Sequence, residues 1–196
     1  MPQAVTWRLF IAVPLPSELK AEIDRLCGPL RTKCPFRAWV HPDDLHLTLM
    51  FIGETAPAAV PRIEERLNAI AARAYPFELV AGNIGFFGAP QSPRVLWVGV
   101  SGNVKTLRAL QADVAQEMAG IGFQPEARPF SPQITLARRY AGTGRFQPER
   151  LQDVIPADGS GPSLKWTADR IVLYRSHLGR TPSYEPLRQF VFYAGG

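Results

Sequence analysis

Two short segments of the chain repeat the same alternation of apolar and polar side chains. They are Leu45-His-Leu-Thr-Leu49 and, 87 positions later, Pro132-Gln-Ile-Thr-Leu136. Because successive side chains of a β-strand point to opposite faces of its sheet, each segment predicts a strand with one buried and one polar face. A proline-containing turn precedes both segments. The repeated pattern therefore predicts two similar half-structures that face a common cleft.

The polar faces of these two predicted strands carry the residues that could do chemistry. In the first strand, His46 and Thr48 stand about 7 Å apart on the face opposite the leucines. An imidazole that titrates near neutrality, beside a hydroxyl donor, suits proton transfer next to an anion. In the second strand, Gln133 and Thr135 take the same two positions. One such strand is more often structural than functional, and it is the repetition that favours a functional site.

The rest of the chain predicts strands and helices without a regular rhythm of strand, helix and parallel strand. Helices are predicted from Pro16-Ser17, with Ser17 as the N-cap, to about residue 30, over 58–74 and over 103–118, because apolar residues recur there at helical spacing. Short β-prone runs predict strands over 8–13, 45–52, 77–87, 94–100, 134–138, 171–178 and 190–193, with a loose segment over 140–163. This mixture favours an α+β fold with antiparallel sheets in one domain that spans residues 1–196.

The composition fits a globular protein of the cytoplasm. Its 46% hydrophobic and 20% charged residues are ordinary values for a globular protein. The chain has no apolar run of the roughly 18 residues that a membrane span needs. Cys27 and Cys34 are too few for a disulfide framework, and the start of the chain lacks a secretory pattern. The net charge of +5 comes mostly from arginine, which binds phosphate well, and it only weakly favours a nucleic-acid or nucleotide partner.

Several stretches of the chain together resemble the 2H phosphoesterases, whose signature is two His-x-Thr-x motifs on opposed strands. Specifically, they resemble the bacterial RNA 2′,3′-cyclic phosphodiesterases once described as 2′-5′ RNA ligases. The likeness rests on an opening strand, both repeated segments with their flanks, a central strand and a closing segment, which are residues 8–13, 39–54, 128–138, 93–100 and 173–187. Together these stretches cover nearly the whole chain.

The resemblance implies a bilobal α+β fold, with two pseudo-symmetric lobes of antiparallel sheet flanked by helices and an active cleft between them. It also implies a metal-independent hydrolysis, without any cofactor, that opens the 2′,3′-cyclic phosphate at an RNA end to a 2′-phosphate. In this family the first-motif histidine donates a proton to the departing ribose oxygen, a role that falls on His46. The threonines that match Thr48 and Thr135 bind phosphate oxygens. We expect a monomer that binds no membrane and whose partners are RNA ends or nucleotides with a cyclic phosphate.

Gln133 departs from the family pattern, because the family's second-motif histidine accepts a proton from the attacking water. A glutamine amide can hydrogen-bond a phosphate or a water but cannot accept a proton at ordinary pH. General acid–base assistance typically contributes about 10² to 10⁴ in rate, so we expect impaired catalysis. Three explanations stay open: an engineered inactive variant, a natural homologue that has become a non-catalytic RNA or nucleotide binder, and an enzyme that uses another base.

Arginines could help to hold the phosphate. Arg138 follows Thr135 by three residues and is the best candidate phosphate ligand, although a solvated arginine is nearly as frequent at such a position. Arg8 and Arg94 are weaker candidates. The motifs specify phosphate chemistry more than they specify the leaving group, so other substrates of this superfamily, such as 2′-5′-linked ones, stay open.

The remaining histidines, His41 and His177, are candidates to replace the missing base. A peripheral, structural histidine is the commoner case at both positions. The run from His41 to His46 contains residue types that bind metals, but its Pro-Asp-Asp core predicts a turn. Since no second cluster of ligands follows, we expect no metal site.

Overall fold

The computed structural model describes residues 5–151, 154 and 164–194. Within these ranges the chain forms three α-helices, which are α1 Ser17–Lys33, α2 Val60–Arg73 and α3 Val104–Ala119. It also forms nine strands: β1 Trp7–Pro14, β2 Phe36–Trp39, β3 His46–Thr55, β4 Phe77–Ala89, β5 Ser92–Gly102, β6 Gln133–Tyr140, β7 Lys165–Ala168, β8 Arg170–Ser176 and β9 Tyr184–Val191. A short 3₁₀ helix, Pro42–Asp44, ends shortly before β3.

The nine strands form one curled sheet in which every neighbouring pair is antiparallel. Its order is β7-β4-β5-β6-β3-β1-β8-β9, and the short β2 also pairs with β6. The register joins β3 to β6 only through Leu47 and Ile134, so the sheet divides there into the halves β3-β1-β8-β9 and β6-β5-β4-β7. We call this contact the seam. Each half begins with one of the two repeated segments, and the predicted α+β fold with two similar antiparallel halves is confirmed.

The three helices bury apolar stripes against one face of the sheet. Each stripe recurs every three or four residues, as helical periodicity requires. The stripes join one core cluster with alternate residues of the strands, among them Leu9, Ile11 and Val13 of β1. Fully burying one such aliphatic side chain contributes about 1.5–3 kcal/mol. The opposite face of the sheet, which we call the open face, carries no helix in the described residues. None of the described helices is both long and apolar enough to cross a bilayer.

Two local predictions were wrong and one strand was missed, and edge strands explain two of these differences. β9 spans Tyr184–Val191 rather than 190–193, and β7, Lys165–Ala168, was not predicted. Both lie at the ends of the sheet order, where β9 tolerates Pro186 and exposed polar residues that disguise a strand in the sequence. The predicted helix cap was also wrong, because Pro16 occupies the N-cap position and no side chain bonds there. Part of the predicted loose segment, residues 152–153 and 155–163, lies outside the described residues.

Candidate functional site

The seam brings the two repeated segments side by side. Leu47 and Ile134 face each other in the register, and both are fully buried on the helix side of the sheet. Strand alternation therefore puts the flanking polar residues of both strands on the open face. Because the two strands are antiparallel, the residues just before and just after Leu47 also lie opposite residues of β6. We call these residues the polar patch: His46 with Thr135, and Thr48 with Gln133.

A bulge in each motif strand returns a third residue to the open face. In β6, register with β5 shifts between the pairs formed by Thr135 and Ala137, so Leu136 and Ala137 both point to the core. The extra residue resets the alternation, and Arg138 comes to share the face of Thr135. Strict alternation would have placed Arg138 among the helices. The structure therefore brings the predicted phosphate ligand to the patch by a feature that the sequence did not reveal.

The same bulge occurs in the first half and exposes a residue that sequence reasoning missed. Register between β1 and β3 shifts after Thr48, and Leu49 and Met50 are both buried. Phe51 then returns to the open face, where it is 49% exposed and lies opposite Phe10. Phe51 thus holds the position in the first half that Arg138 holds in the second.

His46 is held at both ring nitrogens. Its Nδ1 lies 2.6 Å from the main-chain oxygen of Asp44, and its Nε2 lies 2.8 Å from Oγ1 of Thr48. Because a carbonyl oxygen can only accept, Nδ1 carries a proton, and in the neutral ring the hydroxyl of Thr48 donates to Nε2. This arrangement directs Nε2 along the polar patch.

Burial lowers the pKa of His46 to about 4. The hydrogen bond to the main chain of Asp44 and the carboxylate charge of Asp44 oppose this shift, whereas the positive charges of Lys20 and Arg138 add to it. The free protein therefore holds His46 neutral at neutral pH, and a nearby anion would be needed to charge it.

An aromatic cluster surrounds His46 on the open face. The ring of Phe10 lies 4.8 Å from the imidazole between centroids, and Tyr184 packs edge-on at 5.1 Å. Tyr174 stacks on the other side of the cluster, 5.1 Å from Phe10. Burial raises the pKa of Tyr174 to about 12 and also raises that of Tyr184. Alternation within β1 could have assigned Phe10 to this face from the sequence, but no local signal pointed to Tyr184.

In the second half, the polar patch is bordered by residues of β5 and not by an aromatic cluster around a histidine. Gln133 pairs with Gly99 of β5, and its Oε1 is buried without a hydrogen-bond partner among the described residues. Thr135 pairs with Trp97, whose ring lies over Gly85 of β4 so closely that an added Cβ would come within 2.3 Å of it. A buried polar atom without a partner costs about 1–3 kcal/mol. The Oε1 atom of Gln133 is therefore an acceptor that the described residues leave unpaired inside the sheet.

The two remaining histidines are each hydrogen-bonded to a partner outside the polar patch. His177 follows β8, and its Nε2 bonds the carboxylate of Glu185 in β9, which lowers the pKa of Glu185. His41 accepts a hydrogen bond from the main chain of Asp43 and so caps the 3₁₀ helix before β3. Both rings are thus engaged by groups other than the residue at position 133. Among the described residues, no three or more His, Cys, Asp or Glu side chains form a group that could hold a metal.

The weaker arginine candidate of the first half, Arg8, is engaged elsewhere. Its Nε donates to Glu54 at 3.0 Å, and both side chains are about half exposed. Arg8 alternates with Phe10 and therefore belongs to the open face, two strand positions from the cluster. Arg94 is exposed at the start of β5. Of these three arginines, Arg138 is the one whose positive charge acts on the pKa of His46.

Comparison with known proteins places this geometry in a family. A sequence model described as LigT like phosphoesterase matches the chain twice, over residues 13–97 and 98–184, so each match contains one motif strand. A protein of Geobacillus stearothermophilus named RNA 2′,3′-cyclic phosphodiesterase is 40% identical over 92% of this chain, which spans only 56% of that relative's length. A Bacillus subtilis (strain 168) protein of the same name is 34% identical, over 92% of this chain and 94% of its own. The crystal structure of Escherichia coli LigT complexed with 3′-AMP superposes with a TM-score of 0.74, at 27% identity, over 96% of this chain and 99% of that one. The chain belongs to the LigT like phosphoesterase family.

Proposed function

We propose that the chain hydrolyses 2′,3′-cyclic phosphates at RNA ends or on nucleotides to 2′-phosphates, at a rate impaired by Gln133. The observation that carries this proposal is the polar patch, where two hydroxyls, an imidazole and an amide share one face at the seam. The relatives named RNA 2′,3′-cyclic phosphodiesterase support the same substrate. The proposal includes a monomer with one two-lobed domain that works in the cytoplasm without a metal or other cofactor.

The polar patch and Arg138, which shares its face, offer three groups to a phosphate. The hydroxyls of Thr48 and Thr135 donate to its non-bridging oxygens, and Arg138 adds charge-assisted hydrogen bonds. In the free protein the Thr48 hydroxyl is engaged with Nε2 of His46. A bound phosphate competes for that hydroxyl and places its negative charge beside the imidazole. Phosphate binding therefore raises the pKa of His46 and prepares the ring as a proton donor.

Hydrolysis then needs one proton given and one proton removed. The oxygen of a water attacks phosphorus, and the bond from phosphorus to the ribose 3′ oxygen breaks. That departing oxygen takes the proton from Nε2 of charged His46, which leaves the ring neutral with its remaining proton on Nδ1. The product is a 2′-phosphate with a free 3′-hydroxyl. The attacking water loses its proton to solvent, because the amide of Gln133 cannot accept it.

A non-catalytic RNA or nucleotide binder is the second candidate function, and Gln133 is the observation that favours it. The groups proposed to bind phosphate do not need a base at position 133. Binding can therefore persist where hydrolysis is slowed by about 10² to 10⁴. The two functions differ in turnover and share the same ligand.

Binding and turnover of a 2′,3′-cyclic nucleotide, measured on one sample, separate these functions. We expect slow turnover by the chain as it stands and a rise of about 10² or more in Gln133→His, because a base is restored. Tight binding without turnover in both proteins would favour the binder. Full activity that Gln133→His leaves unchanged would overturn the assignment of position 133 to the proton acceptor.

A further inference from the structure

Asp44 is one of only two buried polar side chains in the part of the chain that the structure describes, with 6% of its surface exposed. It ends the 3₁₀ helix Pro42–Asp44. Its Oδ2 accepts the main-chain N–H of Ser183 at 2.7 Å, and its Oδ1 accepts that of Tyr184 at 3.0 Å. A buried carboxylate is costly unless its oxygens are hydrogen-bonded, and these two bonds offset that cost. The carboxylate thus fastens the segment before β3 to the start of β9.

The main chain of the same residue orients His46. The carbonyl oxygen of Asp44 accepts from Nδ1 at 2.6 Å, while Nε2 lies 2.8 Å from the Thr48 hydroxyl. A rotation of the Asp44 peptide group would break the first bond and free the ring to exchange its two neutral tautomers. The direction of that carbonyl therefore decides which ring nitrogen faces the polar patch.

The turn that the carboxylate holds also supplies a wall of the His46 site. Tyr184 packs its ring edge against the imidazole at 5.1 Å between centroids. The turn is organised by bonds of its own, since the N–H of His177 donates to the carbonyl of Ser183 at 2.8 Å. Loss of the Asp44 bonds would therefore release this turn from β3 without taking the turn itself apart.

We infer that Asp44 is a positioning residue, whose carboxylate clamps the turn between β8 and β9 onto β3 and so fixes the tautomer and direction of His46. The inference rests on the proposed function for the part that His46 plays in the reaction. An asparagine could not replace the clamp, because it has one acceptor oxygen and its NH₂ group would face the second N–H. The other charged groups near the ring, Lys20 and Arg138, are cations and cannot accept from Nδ1.

Nuclear magnetic resonance of ¹⁵N-histidine tests this inference without any substrate. The chain has three histidines, so the His46 ring can be assigned by a His46→Gln variant. Asp43→Asn is the matched control. Asp43 lies in the same turn, its side chain is 72% exposed, and the substitution removes the same charge. We expect one Nδ1–H tautomer in the wild-type protein and in Asp43→Asn, and a mixture of tautomers in Asp44→Asn. Wild-type ring signals in Asp44→Asn would overturn the inference.

Two further measurements keep the test decisive. If Asp44→Asn does not fold, Asp44→Glu keeps the charge and both acceptors but lengthens the clamp by one methylene. Shifted His46 signals in that variant support the clamp, and unchanged signals overturn it. In a Gln133→His background, Asp44→Asn should lower kcat by about 10- to 100-fold and leave KM nearly unchanged. Absence of turnover in Gln133→His itself would count against the proposed function and leave the resonance test standing.

Discussion

Acidification tests the burial of His46 through the stability of the protein. The pKa of His46 in the folded chain is about 4, against 6.5 for an unperturbed histidine, because burial opposes the charged ring. As the pH falls from 6.5 towards 4, the unfolded chain binds a proton that the folded chain does not. The free energy of unfolding therefore falls across this window. At about 1.36 kcal/mol for each pKa unit, the full loss is roughly 3 kcal/mol.

A comparison with His46→Gln isolates this loss. Urea denaturation, followed by the fluorescence of the four tryptophans, would be measured for both proteins in steps from about pH 7 to about pH 4. Carboxylates with lowered pKa values, such as Glu54 and Asp169, titrate in both proteins and cancel in the difference. We expect the free energy of unfolding of the wild type to fall by roughly 3 kcal/mol more than that of the variant. Equal pH dependence in the two proteins would refute the argument from burial.

The polar patch and the seam make three further predictions. Inorganic phosphate should bind with uptake of protons, and its binding should weaken as the pH rises, because the phosphate charge raises the pKa of His46. Calorimetry in two buffers with different ionisation enthalpies measures the proton uptake. Arg138→Ala should weaken phosphate binding by about tenfold or more, since it removes charge-assisted hydrogen bonds. Arg62→Ala, on an exposed face of α2, removes the same charge and should leave that binding unchanged. Leu47→Ala should lower the free energy of unfolding by about 2–5 kcal/mol, measured by urea denaturation, because Leu47 is fully buried at the seam.

The polar patch could be predicted because it depends on local periodicity alone. A period of two fixes the face of His46 relative to Thr48, and of Gln133 relative to Thr135, without any knowledge of the remaining chain. The repeat adds that both strands belong to equivalent places in two halves. The pairing of Leu47 with Ile134 sets the polar faces of the two strands beside each other, as the repeat predicts.

Features that depend on partners distant in sequence could not be predicted. The face of Arg138 is decided by a bulge against β5, and nothing within β6 marks Leu136 as the extra residue. The burial of Asp44 depends on main-chain donors 139 and 140 residues away. In the sequence it looked like an ordinary turn residue, because Asp is common in turns for local reasons. Long-range hydrogen bonds of this kind produce no periodic pattern in the sequence.

The two halves provide equivalent backbone positions and fill them with different chemistry. Phe51 stands where the second half has Arg138, and His46, within an aromatic cluster, stands where the second half has Gln133. The antiparallel seam sets each threonine against the polar residue of the other half, so neither half forms the patch alone. Because a single backbone pair joins the strands there, packing beneath the seam must set the separation of the halves. Leu47→Ala should therefore weaken phosphate binding by more than Leu67→Ala, which removes the same atoms from an equally buried position in the helix layer.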